Sequence, residues 1–129
     1  IQKMKIVFDT YAWIEYFEGS KKGEIVNKFL QENNILTPSI VLLELSYKAD
    51  LKKWNFKEIF NFIKIKSSII GINEQLIINF GESYNTAKRK NKNFGIADAI
   101  ILMTSKLNNA NILTGDHHFS IYENAIILE

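Results

Sequence analysis

The chain of 129 residues has no cysteine, a single proline (Pro38), a single arginine (Arg89) and two histidines. Without cysteine there can be no disulfide and no thiolate-held metal, which suits a reducing cytoplasm, the expected compartment. With one proline, helices are free to run long. Long hydrophobic runs are missing as well. The apolar stretches around Ile69-Ile70 and Ile126-Ile127 have strand length, so no bilayer-spanning helix and no membrane partner is expected. The opening run Ile6-Val7-Phe8 meets Asp9 at once and is too short for a signal peptide. No weight rests on the residues before Met4.

Charge of one sign is also scarce. The formal net charge of +2 excludes a strongly basic nucleic-acid binder taken as a whole. Positive charge gathers only in Lys88-Arg89-Lys90-Asn91-Lys92, where guidance of RNA competes with the plainer role of a solvated helix end. Repeats, low-complexity tracts and Gly/Ser linkers are absent, so residues 1–129 are expected to form one domain. Hydrophobic residues make up 47% of the chain and charged residues 23%, enough apolar material for a core without staples.

Short apolar runs alternate with amphipathic stretches. Strands are expected at Lys5–Phe8, Ile35-Leu36, Ser68–Ile72, Ala110–Thr114 and Ala125–Leu128. Between them lie helical patterns. Thr10 is placed to cap a helix through Trp13, Ile14 and Phe17 that Gly19 ends. Ser20 precedes a second helix with Ile25, Val26, Phe29 and Leu30 on one face. After the turn Asn33-Asn34 and the next strand, Thr37-Pro38-Ser39 has the form of a helix start, for a helix from about Ile40 to Leu51. Phe56, Ile59, Phe60 and Ile63 mark another. Asn73 caps a long helix that ends in the basic run, and Gly95 opens the one carrying Ile96 to Met103. Strands alternating with helices predict an α/β domain with a mainly parallel sheet of four to five short strands. Such sheets place their sites beyond the carboxyl ends of the strands.

Four carboxylates fall on that frame in telling places. Asp9 follows the first strand directly, and Asp116 follows the Ile112–Thr114 strand after a glycine. Glu44 stands within Val41-Leu42-Leu43-Glu44-Leu45, and Asp98 within Ile96-Ala97-Asp98-Ala99-Ile100. An ionised group in such apolar company is costly unless paired or metal-bound, and Lys48, four residues on, is the nearest partner for Glu44. Gathered carboxylates repel and raise one another's pKa, a penalty that a divalent cation removes. Oxygen ligands without cysteine favour Mg²⁺ or Mn²⁺, ions suited to phosphodiester cleavage. Taken singly, each acid has a plain structural reading as a cap, a turn residue or a dipole partner.

Taken in order, these segments resemble the PIN domain, most closely its VapC-type toxin ribonucleases. The carriers are Ile6-Val7-Phe8-Asp9-Thr10, the Glu44 helix segment, Gly95-Ile96-Ala97-Asp98-Ala99-Ile100-Ile101 and Leu113-Thr114-Gly115-Asp116. The resemblance spans nearly the whole chain. It implies a three-layer α/β/α domain and a Mg²⁺- or Mn²⁺-dependent endoribonuclease in which a metal-bound water attacks phosphorus in line. It also implies a homodimer and a cognate VapB-type antitoxin that blocks the groove with a C-terminal segment. By position, Asp9, Glu44 and Asp98 are the principal metal ligands and Asp116 completes the site. Thr114 supports it by hydrogen bonding, and Thr10 less securely. The rivals are a PIN ribonuclease of RNA processing or ribosome maturation, and an RNA-binding PIN module without catalysis. Small size without an appended domain favours the toxin, and retention of all four acids favours catalysis.

Other readings fare less well. A phosphoacceptor domain calls for paired acids at the first strand and a late lysine. A haloacid-type phosphatase calls for Asp-x-Asp where Tyr11 stands. A dinucleotide site calls for a Gly-rich first turn, which Asp9-Thr10-Tyr11-Ala12 does not provide. His117-His118 is expected to be an ordinary loop pair, and Trp13 and Trp54 to pack in the core rather than stack on bases. Tyr47 and Lys48, about one turn beyond Glu44, are assigned no role.

Overall fold

A computed structural model describes residues 3–129. Among these residues five strands, β1 (Lys5–Phe8), β2 (Asn34–Pro38), β3 (Ser68–Ile70), β4 (Asn111–Thr114) and β5 (Ala125–Ile127), form one sheet in the order β3-β2-β1-β4-β5. Every pairing is parallel. The α-helices that connect them are α1 (Thr10–Glu18), α2 (Lys21–Glu32), α3 (Ser39–Lys52), α4 (Phe56–Lys66), α5 (Glu74–Lys90) and α6 (Ile96–Leu107). A 3₁₀ turn, His117–Phe119, follows β4.

The chain travels outward from β1 to β2 and β3, then returns to the other side of β1 to lay down β4 and β5. Right-handed crossovers taken in opposite directions put helices on both faces of the sheet, the expected three-layer arrangement. The reversal falls between β1 and β4, whose registered pairs include Phe8 with Leu113. A crevice therefore opens beyond the carboxyl ends of these two strands.

The centre of the sheet is sealed from both sides. Ile6, Val7, Phe8, Ile112 and Leu113 are fully buried, as expected of parallel strands covered on both faces. Trp13 of α1 is also fully buried and is the hub of an aromatic cluster. Its ring meets Phe8 edge-on at 5.0 Å and stacks on Phe17 at 5.7 Å. Its Nε1 donates to Thr37 Oγ1 of β2 at 3.2 Å, so the ring is held by a polar contact as well as by packing. Trp13 thus packs in the core as expected. Trp54 is only half-buried, with Lys52 over its ring.

Several boundaries shift for identifiable reasons. The cap of α1 is Asp9, not Thr10: Asp9 Oδ1 accepts from the Ala12 N–H at 2.8 Å, and Thr10 is the first helical residue. Gly19 does end α1, at a φ of 68° that favours glycine. Ser20 and Asn73 cap α2 and α5 as expected. Pro38 ends β2 and stands just before α3, where its missing N–H costs nothing. Asn34, expected in a turn, pairs with Lys5 and starts β2. β3 stops at Ile70, short of Ile72, because only Ser68, Ile69 and Ile70 find partners on β2. Gly23 lets α2 lie directly on α1, since a Cβ there would run into the Glu15 carbonyl.

Trp13→Ala should cost about 3–5 kcal/mol, the scale for emptying a buried aromatic site. Urea denaturation of the variant checks this, and a loss below about 1 kcal/mol would contradict the role of Trp13 as the hub between α1 and β2.

Candidate metal centre

The four acids selected from the sequence all reach the crevice beyond β1 and β4, but they do not reach it alike. Asp9 leaves the end of β1 and is buried with only 5% of its surface exposed. One of its oxygens is committed to the Ala12 N–H. Burial pushes its pKa up to about 7, and the nearby Asp116 and Glu44 carboxylates add to the rise. The Thr114 hydroxyl and the Ala12 N–H oppose it by favouring the ionised form.

Glu44 projects from the second turn of α3 and is half-buried. Its Oε1 accepts from the Thr10 hydroxyl at 2.7 Å, which joins α3 to the start of α1. No ion pair links it to Lys48 among the described residues. Thr10, expected to be the less secure of the two supporting threonines, therefore has a direct contact with a candidate acid.

Asp98 lies in the first turn of α6, where its Oδ2 accepts from the Gly95 N–H at 2.9 Å. That bond fixes the carboxylate beside the positive end of the helix. Burial nevertheless raises its pKa, and Asp116 and Glu44 push it further. Asp116 caps the 3₁₀ turn by accepting from the His118 N–H at 2.9 Å. Its own N–H donates to Thr114 Oγ1 at 2.9 Å, so the fully buried Thr114 braces the turn while its hydroxyl serves Asp9.

Two close approaches set the position of this turn. A Cβ on Gly115 would collide with the Tyr11 ring, so glycine alone lets the turn lie against α1. Phe119 is buried and meets Phe94 edge-on at 5.3 Å, and Phe94 directly precedes Gly95. This aromatic contact draws the turn after β4 toward the start of α6.

His118, expected to be an ordinary loop residue, joins the acids. Donor atoms of Asp98, Asp116 and His118 all lie within 4.8 Å of one another. His118 Nδ1 is 3.3 Å from Asp116 Oδ1. Asp9 and Glu44 stand outside that tight group but share its field: Glu44 raises the pKa of both Asp9 and Asp98, and Asp116 raises that of Asp9. The available sequence signal for His118 is its adjacency to Phe119: a buried aromatic next door fixes where the imidazole must go. His117 is exposed, as expected of a loop histidine.

The donors suit a divalent cation. They are carboxylate oxygens with one imidazole, and the most buried carboxylate has a raised pKa that a cation would bring down. A large open cleft lies elsewhere, beside Lys106, Asn109, Asn111 and Asn124 near the start of β4, and contains none of the four acids. The basic run occupies the last turn of α5 and the loop after it. Lys88 packs over Tyr84 and Lys90 over Tyr122, an arrangement that also suits the negative end of the helix.

With this geometry in place, comparison with known proteins decides the family. The PIN domain model matches residues 6–124. The chain belongs to the PIN domain family. Membership supports a nuclease. Comparison with curated proteins finds no match. Among solved structures, the fold is similar to that of VapBC2 from Rickettsia felis bound to a promoter DNA fragment. The TM-score is 0.75 at 21% identity, over 96% of this chain and 97% of that one. A toxin-antitoxin complex from Klebsiella pneumoniae gives 0.74 at 20% identity, over 96% and 98%. The sarcin-ricin loop-cleaving toxin VapC20 from Mycobacterium tuberculosis gives 0.74 at 13% identity, over 96% and 99%. At these identities the likeness is one of fold.

Asp9 yields a test that needs no substrate. In cation-free protein the folded state holds the Asp9 proton to about pH 7, whereas an ordinary aspartate releases it near 3.8. The folded state therefore binds the extra proton between those values. The stability this confers is fully present below about pH 3.8 and is lost as the pH rises toward 7. Asp9→Asn keeps the acceptor for Ala12 and should flatten that decline. At pH 7 in EDTA it should be more stable than the parent by a few kcal/mol, because each tenfold change in proton affinity is worth roughly 1.4 kcal/mol. Urea denaturation at pH 5 and pH 7 reads this out, and a variant no more stable than the parent at pH 7 would refute the destabilising buried carboxylate.

Proposed function

We propose that the chain is a Mg²⁺- or Mn²⁺-dependent endoribonuclease and acts as the VapC-type toxin of a toxin-antitoxin pair in the cytoplasm. The observation that carries this reading is the convergence of Asp9, Glu44, Asp98 and Asp116 from four separate elements on one crevice. A folded chain has little reason to bear that electrostatic cost unless a cation offsets it.

In this reading Asp9, Glu44, Asp98 and Asp116 hold the cation, which supplies activation of water and neutralisation of charge on the phosphoryl oxygens. The chain's own groups do the positioning. Thr10 orients Glu44, and the Gly95 N–H orients Asp98. Thr114 holds the Asp116 backbone and favours the ionised form of Asp9, so it belongs to the site as a positioning residue. The exposed Lys88, Arg89 and Lys90 form the last turn of α5, in the element that precedes the Asp98 helix, and their positive charge suits the RNA backbone. RNA as substrate is supported by the Mycobacterium tuberculosis neighbour, described as cleaving the sarcin-ricin loop.

A VapB-type antitoxin is supported by the neighbours solved as toxin-antitoxin complexes. A cleft lined by Tyr11, Ile14, Glu15, Glu18, Lys48 and Lys52 gives its segment a path that ends where Tyr11 abuts Gly115. A homodimer is supported by Leu43, Tyr47 and Leu51, which form an exposed apolar line along α3, and by exposed Ile77 and Ile78 on α5.

Incubation with a mixed RNA pool tests the activity. The parent should cleave with Mg²⁺ or Mn²⁺ and not with EDTA. Asp9→Asn and Asp98→Asn should lose about a hundredfold or more, the scale for removing one group that organises transition-state charge. A folded Asp9→Asn protein that cuts at the parent rate would sink the mechanism.

Sedimentation tests the assembly. The parent should run as two copies, and Tyr47→Glu should run as one. A monomeric parent would exclude the homodimer.

A further inference from the structure

His118 has no part in the function proposed above. We infer that its imidazole is a direct ligand of the cation held by Asp98 and Asp116, so that this position is a mixed oxygen–nitrogen site with a preference for Mn²⁺ over Mg²⁺. This assignment rests on the proposed cation centre and adds to it a nitrogen donor.

The fold delivers the three groups from two places only. Asp98 comes from the first turn of α6, while Asp116 and His118 come from the same short turn after β4. The His118 N–H bonds back to Asp116 Oδ1 at 2.9 Å, which curls the turn so that imidazole and carboxylate face the same way. Phe119, buried against Phe94, pins the turn beside the α6 start. In an octahedral site with bonds of about 2.1 Å, neighbouring donors are about 3.0 Å apart and opposite donors about 4.2 Å. The observed 3.3 Å between His118 Nδ1 and Asp116 Oδ1 fits neighbouring positions. The 4.8 Å limit on the whole group is near the span of one ion. The two side chains are 41% and 35% exposed, so the position remains open to the ion's waters.

The choice of metal follows from donor chemistry. Mg²⁺ demands oxygen ligands and gains little from imidazole. Mn²⁺ accepts carboxylates equally well and tolerates nitrogen, and later transition ions gain more still. The same 3.3 Å would also fit an Nδ1–H donated to Asp116. In that case no lone pair faces the ion and the centre is oxygen-only.

Pulsed paramagnetic resonance on Mn²⁺ added to the full-length protein separates these cases without measuring catalysis. The parent should show the coupling of a directly bonded nitrogen. His118→Ala should lose it, while His117→Ala should retain it. Titration should show Mn²⁺ binding weakened about tenfold in His118→Ala, with Mg²⁺ binding within about twofold of the parent. Mn²⁺ bound without nitrogen coupling in the parent would overturn the inference and leave the acidic centre standing. Coupling lost with His117→Ala instead would overturn it too. A parent that binds no Mn²⁺ would remove the cation centre itself. A parent spectrum without nitrogen coupling overturns the inference even if a variant fails to fold, and His118→Gln serves as a second variant for the assignment to His118.

Discussion

Burial of carboxylates beside one another is the constraint around which this site is arranged. Asp9, Glu44, Asp98 and Asp116 approach one another at the edge of a sealed sheet, and each of the two that titrate abnormally is shifted upward by burial and by its neighbours. Nothing in the acids themselves favours the gathering. It is held by the sheet register that puts Phe8 beside Leu113, by Glu44 tied to Thr10, and by Asp98 tied to the Gly95 N–H. Packing energy from a core centred on Phe8, Trp13 and Ile112 is set against an unfavourable local field. Local instability of this kind is common where a site must bind charge.

Much of the frame can be read in the sequence because it depends on local rules. The strand residues are apolar and short-run, the helix faces repeat at helical spacing, and Gly19, Ser20 and Asn73 stand where ends require them. The edges of β2 and β3 are less legible. Asn34 joins its strand and Ile72 does not, because pairing partners on the neighbouring strand decide both. The cap of α1 is ambiguous for a related reason. Both Asp9 and Thr10 can cap, and the choice depends on Thr10 turning its hydroxyl to Glu44, thirty-four residues away.

The acids are legible as a set because burying an unpaired carboxylate is costly wherever it happens. Their partners are not. Thr114 divides its service between the Asp116 backbone and Asp9, and His118 reaches Asp116 through a turn curled by its own N–H bond and pinned by Phe119. Each relation has a short local bond between residues two apart, but neither spacing by itself marks a site. The second also depends on two aromatic rings, Phe94 and Phe119, meeting across twenty-five residues of sequence.

The strand order has a consequence for how the molecule is made. β1 emerges early and can pair with β2 soon after, but its other edge waits for β4, about a hundred residues later. Asp9 is thus synthesised about a hundred residues before the Asp116 that it meets. The nascent polypeptide holds no assembled acidic centre until β4 has left the exit tunnel and docked. The topology delays assembly of the acidic centre until β4 has paired with β1.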